Sequence, residues 1–121
     1  MTKDMRVYLG HILECILRIE DFSQGGRDEF LSSRLIQDAV IRNLEVIGEA
    51  AKRIGEDYRS LHPEIPWRGM ASLRDVLIHD YDIVRIEDIW SVVETNIPPL
   101  KKALLDFLPP LDQLEMEIAG D

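Results

Sequence analysis

The chain has 121 residues, 45% of them apolar, and a formal net charge of −9. That is enough for one domain with a real core and too little for two. The acidic balance argues against a protein that holds nucleic acid by bulk charge, and the early charges Lys3, Asp4, Arg6 and Glu14 leave no stretch for a signal peptide or membrane span.

The charge is unevenly spread. Residues 34–85 hold eight Lys/Arg against nine Asp/Glu, while the rest holds six against fourteen. The middle of the chain can therefore present a locally positive groove, and the acidic ends suit docking onto a basic partner. The lone cysteine, Cys15, sits in an apolar helical run and reads as a buried small hydrophobe in a reducing cytoplasm.

In chain order, Val7-Tyr8, Ile12, Cys15-Ile16 and Ile19 recur at three- and four-residue steps, predicting an amphipathic helix from Met5 to Phe22. His11 lies among these apolar residues and reads as half-buried. Gln24-Gly25-Gly26 stops the helix. Asp28, Ser32 or Ser33 can cap a long helix from about Ser33 to Glu56, with Ile36, Val40, Ile47, Ala51 and Ile54 on one stripe. Gly48 within it costs about 1 kcal/mol in helix propensity, so close packing is expected to require it. Pro63 and Pro66 break the next stretch into a connector that contains His62, and Pro66 can open a helix to His79. A last long helix from Arg85 or Ile86 turns Ile89, Val92-Val93, Leu100, Leu104 and Leu108 inward, and Pro98-Pro99 imply a kink near Asn96. After Pro109-Pro110 comes an acidic tail, where Leu111, Leu114 and Ile118 can form a short docking helix. No segment alternates with period two. The expected architecture is all-α, an up-and-down bundle of four to five helices, with a domain over residues 1–108 and a tail over 109–121.

The segment Arg74-Asp75-Val76-Leu77-Ile78-His79-Asp80-Tyr81 carries the chemistry. Arginine offers a permanent charge and a planar fork for phosphate oxygens, and histidine a proton that titrates near neutral pH. On a continuous helix Arg74 and Tyr81 fall nearly on one line, with Asp75 and His79 on the next. Asp75 is then placed to accept a hydrogen bond from His79. A surface Asp/His pair favoured by the helix dipole is the plainer alternative. No metal-ligand spacing and no glycine-rich nucleotide loop accompany the motif.

Residues 39–53, Ala-Val-Ile-Arg-Asn-Leu-Glu-Val-Ile-Gly-Glu-Ala-Ala-Lys-Arg, then His62-Pro63-Glu64-Ile65-Pro66-Trp67, then the Arg-x4-His-x-Tyr motif, form a specific combination. It resembles the HepT family of HEPN-domain proteins, over about residues 5–107. The resemblance implies an all-helical homodimer, the toxin of a type VII-like toxin–antitoxin pair. Such a toxin is a metal-independent endoribonuclease acting on mRNA or tRNA, and it needs no cofactor. It also implies that Arg74 and His79 are the catalytic pair, with Asp75 supporting them where the family often has asparagine. The implied partner is an MNT-type nucleotidyltransferase antitoxin, which neutralises the toxin by attaching AMP to the motif tyrosine, here Tyr81. A catalytically inert HEPN module that engages the nucleotidyltransferase or a nucleotide is the alternative.

Overall fold

The computed structural model describes residues 4–109 and 111–120; Lys3 and Pro110, named above, lie outside them, as do the outer ends of the ranges 1–108 and 109–121. Every regular element among the described residues is helical. Helix α1 spans Met5–Phe22 and α2 Arg27–Ser32, followed by α3 Arg34–Arg53 and α4 Glu56–Leu61. Helix α5 spans Trp67–His79 and α6 Ile86–Ser91; then come α7 Ile97–Leu105 and α8 Leu111–Gly120. The all-α expectation holds, and α1, α3, α5, the α6–α7 unit and α8 are the long elements.

Two short helices were not legible. Helix α2 rises from Gly26, which adopts φ 89°, a left-handed conformation that a glycine takes without steric cost. Its single buried anchor is Phe30, packed against Trp90 with ring centroids 5.3 Å apart. Helix α3 starts where Ser33 Oγ accepts from the Ile36 N–H at 3.2 Å, and it ends at Arg53 rather than Glu56. Its last carbonyls are satisfied from α4, because Arg59 donates to the Ala51 and Ile54 oxygens at 2.8 and 3.0 Å. One side chain thereby closes a helix end, and the chain restarts as α4 instead of continuing.

The core is a single apolar cluster. Ile12, Ile16 and Ile19 of α1, Val40, Ile47 and Ala51 of α3, and Ile89, Leu100 and Leu104 of the α6–α7 unit are all buried within it. Each such aliphatic side chain contributes about 1.5–3 kcal/mol by leaving water. Helices α1 and α5 flank α3 on either side. The prolines at 98 and 99 cannot donate backbone hydrogen bonds. The helix absorbs them in a π turn over Val92–Asn96 before α7 resumes with proline in its first turn. The expected kink is this turn. The acidic α8 docks on α1 through fully buried Leu114, whose Cδ2 would lie 3.6 Å from a Cβ at Gly10.

No helix among the described residues is long and apolar enough to cross a membrane. Cys15 is buried, and burial pushes its thiol above the usual range, so it stays protonated at neutral pH.

Candidate active site

The position of Arg74 is set by a glycine on another helix. A Cβ at Gly48 would stand 2.2 Å from Arg74 Cβ and 2.6 Å from the Met70 carbonyl oxygen. Helices α3 and α5 therefore meet at a distance only glycine allows, as the expectation for Gly48 required. Arg74 leaves this seam sideways, along the polar face of α3. Its Nε sits 3.3 Å from Glu49 Oε2, an ion-pair distance, without an aligned hydrogen bond. Its Nη1 donates to Asp75 Oδ1 at 3.0 Å.

Asp75 is also reached by Lys52 of α3, whose Nζ donates to the same oxygen at 3.1 Å. Lys52 and then Arg74 hold the Asp75 carboxyl below the usual carboxylate range. The expected Asp75–His79 bond is not formed, because two cations already occupy the carboxylate. Glu49 in turn pairs with Arg53 at 3.2 Å, so a chain of alternating charges runs from Arg53 through Glu49, Arg74 and Asp75 to Lys52.

His79 is elsewhere. It is the last residue of α5, exposed, and five residues past Arg74; at 100° per residue the two point about 140° apart, with an axial offset of about 7.5 Å. The helix does not persist to Tyr81. Asp80 ends it with its N–H on the Val76 oxygen, and Tyr81–Ile83 form a 3-10 turn. The expected line through Arg74 and Tyr81 is therefore broken, and the Tyr81 side chain, 74% exposed, borders a different groove with Arg34, Gln37 and Ile86. The residues flanking His79 in sequence are mixed: Val76 is partly exposed and Ile83 71% exposed, alongside the exposed Asp80 and Asp82.

Arg74 and Ile78 line a cleft of about 370 Å³ between α1, α3 and α5. Its other walls are Arg42, Glu45, Glu49 and Arg53 of α3, with Tyr8 and His11 of α1. His11 is exposed here rather than half-buried, and its ring meets that of Tyr8 edge-on at 6.3 Å. The sequence held a signal for this wall. Arg42, Glu45, Glu49 and Arg53 repeat at three- and four-residue steps along the polar side of α3. His62 packs away from the cleft, stacked on Phe107 at 3.8 Å. Among the described residues no group of His, Cys, Asp and Glu is arranged to hold a metal ion.

Comparison with known proteins gives the family of this chain. The profile described as "Ribonuclease HepT-like" matches residues 12–106, and the chain belongs to the HepT-like family. A Thermococcus cleftensis protein designated a probable ribonuclease HepT is 47% identical over 102 residues, which is 84% of this chain and 93% of that one. A Methanocaldococcus jannaschii protein provisionally named an RNase is 48% identical over 97 residues, covering 79% of this chain and 80% of its own. A longer chain from the same organism carries the names gamma-glutamylcyclotransferase and, provisionally, RNase. It is 42% identical over 93% of this chain, which spans about half (51%) of that relative's length. No solved structure matches.

Proposed function

We propose that this chain is a metal-independent endoribonuclease, the toxin of a type VII-like toxin–antitoxin pair, working as a homodimer on mRNA or tRNA. The observation that carries the reading is the pair Arg74 and His79, both presented by α5 in a chain of the HepT-like family. Cleavage through the RNA's own 2′-OH needs a base to take that proton. The 2′-oxygen then attacks phosphorus, the bond to the 5′-oxygen breaks, and an acid protonates that oxygen. His79 is the proton-transfer group, and Arg74 stabilises the extra negative charge on the five-coordinate phosphorus. Asp75 fixes the Arg74 guanidinium.

The divergence of Arg74 and His79 within one protomer supports the dimer. A two-fold axis beside the end of α5 would bring the histidine of one copy to the arginine of the other, and the exposed side chains of Val76 and Ile83 give that axis apolar surface to bury. The same divergence favours one second reading, an isolated protomer that is inert and serves to engage its partner. Residues 1–108 are taken as the HEPN unit and 109–121 as an acidic tail. The partner is an MNT-type nucleotidyltransferase that attaches AMP to Tyr81, a hydroxyl-bearing side chain in full reach of an enzyme.

The test is cleavage of single-stranded RNA in EDTA by the purified chain, with 2′,3′-cyclic phosphate ends and no cutting where the 2′-OH is replaced by hydrogen. Products ending in 3′-hydroxyl would overturn the mechanism. Incubation with the nucleotidyltransferase and ATP should add AMP to wild type and abolish cleavage, while Tyr81→Phe stays active. An adduct on another residue would remove Tyr81 from its role.

A further inference from the structure

The cleft beside Arg74 has two chemically distinct walls. On one side stand three guanidiniums, Arg42, Arg53 and Arg74, in a protein whose net charge is −9. Two carboxylates face them, so the pocket is locally positive inside an acidic chain. Each arginine is held by a carboxylate of its own chain: Arg42 by Glu45 at 3.5 Å, and both Arg53 and Arg74 by the single Glu49, at 3.2 and 3.3 Å. Glu49 is shared by two guanidiniums, and Arg74 is held by Asp75 at 3.0 Å as well, so Arg42 and Arg53 are the two with donors left for an entering group. An entering phosphate meets pre-placed forks that are themselves largely exposed, the Arg42 side chain at 72% and that of Arg53 at 60%.

On the other side, α1 contributes two rings, Tyr8 and His11, set nearly perpendicular at 86°. Aromatic faces and edges beside a row of arginines are what a nucleotide unit requires, a flat surface for the base and forks for the phosphate. The volume, about 370 Å³, lies at the lower end of the range for small-ligand clefts, of order 300–1,000 Å³.

We propose that this cleft is a subsite that holds one nucleotide of the RNA strand beside the bond to be cut. Arg42 and Arg53 hold its phosphate, and Tyr8 with His11 receives its base. This rests on the ribonuclease reading and assigns roles to four residues outside the Arg-x4-His motif. It also explains how an acidic protein grips RNA: by a few positioned forks and ring contacts rather than by a broad basic surface.

The test uses a 2′-O-methyl RNA oligonucleotide, which cannot be cleaved through its 2′-oxygen, and 5′-AMP as a free nucleotide. Binding is measured by anisotropy or calorimetry on the full chain, with helix content checked by circular dichroism. Tyr8→Ala should weaken oligonucleotide binding about 5- to 100-fold, the range for loss of a base–ring stack, while Tyr8→Phe stays near wild type. Arg42→Gln should weaken binding and lower the magnitude of the salt slope by about 0.7, the value for one phosphate contact on a single strand. In cleavage assays both changes should raise KM more than they lower kcat. Folded Tyr8→Ala and Arg42→Gln proteins with unaltered affinity would overturn the subsite while leaving the ribonuclease reading intact. Loss of oligonucleotide binding in both, with no cleavage by wild type, would uphold the subsite and sink the ribonuclease. AMP binding that excess oligonucleotide fails to displace would overturn the subsite as a place for an RNA strand.

Discussion

The two ends of helix α5 carry the two halves of one motif and are built on opposite plans. At Arg74 the chain is committed: Gly48 admits α5 to the surface of α3, and Glu49, Asp75 and Lys52 fix the charge that emerges. At His79 the chain is uncommitted. The helix stops, a 3-10 turn follows, the histidine and tyrosine are exposed, and the exposed Asp80, Asp82 and Ile83 share the turn with them. The fold fixes the arginine through its own helices and leaves the histidine exposed at a helix end. On the proposed homodimeric reading, that contrast is how a pair separated by about 140° would serve as one site when two copies meet.

The largest effect should come from the pair itself. Arg74→Ala and His79→Ala are each expected to lose at least about 10²-fold in cleavage rate, the scale of a positioned proton-transfer or charge-stabilising group. Mixing the two inactive variants sharpens the comparison. If arginine and histidine come from different copies, half the dimers are mixed and each has one intact site, so activity should return to about a quarter of wild type. No recovery after demonstrated subunit exchange would mean that each protomer is self-sufficient.

Next comes the committed end. Gly48→Ala puts a methyl into the Met70 carbonyl and Arg74 Cβ, and the expected cost is about 1–3 kcal/mol of stability from overpacking. Urea unfolding measures it, and cleavage should fall with it because Arg74 moves. The matching change at the other end, His79→Ala, is a surface substitution and should leave stability within about 0.5 kcal/mol. A destabilised His79→Ala would show that the histidine is held more firmly than its exposure indicates. Ile83→Asp tests the proposed dimer in the same way, since removing this exposed apolar side chain should shift sedimentation toward monomer at micromolar concentration with the fold intact.

The smallest effect concerns pH. The Asp75 carboxyl is held below its usual range by Lys52 and Arg74, so its contribution is present above the unfolded-state pKa and is lost as pH falls through the lower folded-state value. Stability should therefore decline slightly more steeply on acidification in wild type than in Asp75→Asn. The carboxylate is well exposed and screened, so wild type is expected to hold only a small advantage in urea midpoint over Asp75→Asn above the carboxylate range, and that advantage should vanish as pH falls through it. Identical midpoints across that range would remove the ion-pair chain from the account of Arg74.

Periodicity alone determined the all-helical class and the start and end of α1. It also determined the long α3 and the apolar stripe that buries Val40, Ile47 and Ala51, because a 3.6-residue repeat of greasy side chains has no other way to leave water. Gly48 was legible as a close-approach position for the same kind of reason: a glycine in mid-helix is costly unless something needs its missing Cβ. What escaped was whatever depended on partners distant in sequence. The early end of α3 is decided by Arg59 on its last carbonyls, and α2 is anchored by Phe30 against Trp90. Asp75 is turned from His79 by Lys52, 23 residues before it, and Tyr81 leaves the helix because the chain turns at Asp80. His11 looked half-buried among apolar neighbours in sequence, yet α1 rolls it toward the cleft that α3 and α5 complete. A sequence fixes what each residue can offer along its own helix, whereas the choice among competing partners depends on which helices come into contact, and that is settled only when the bundle closes.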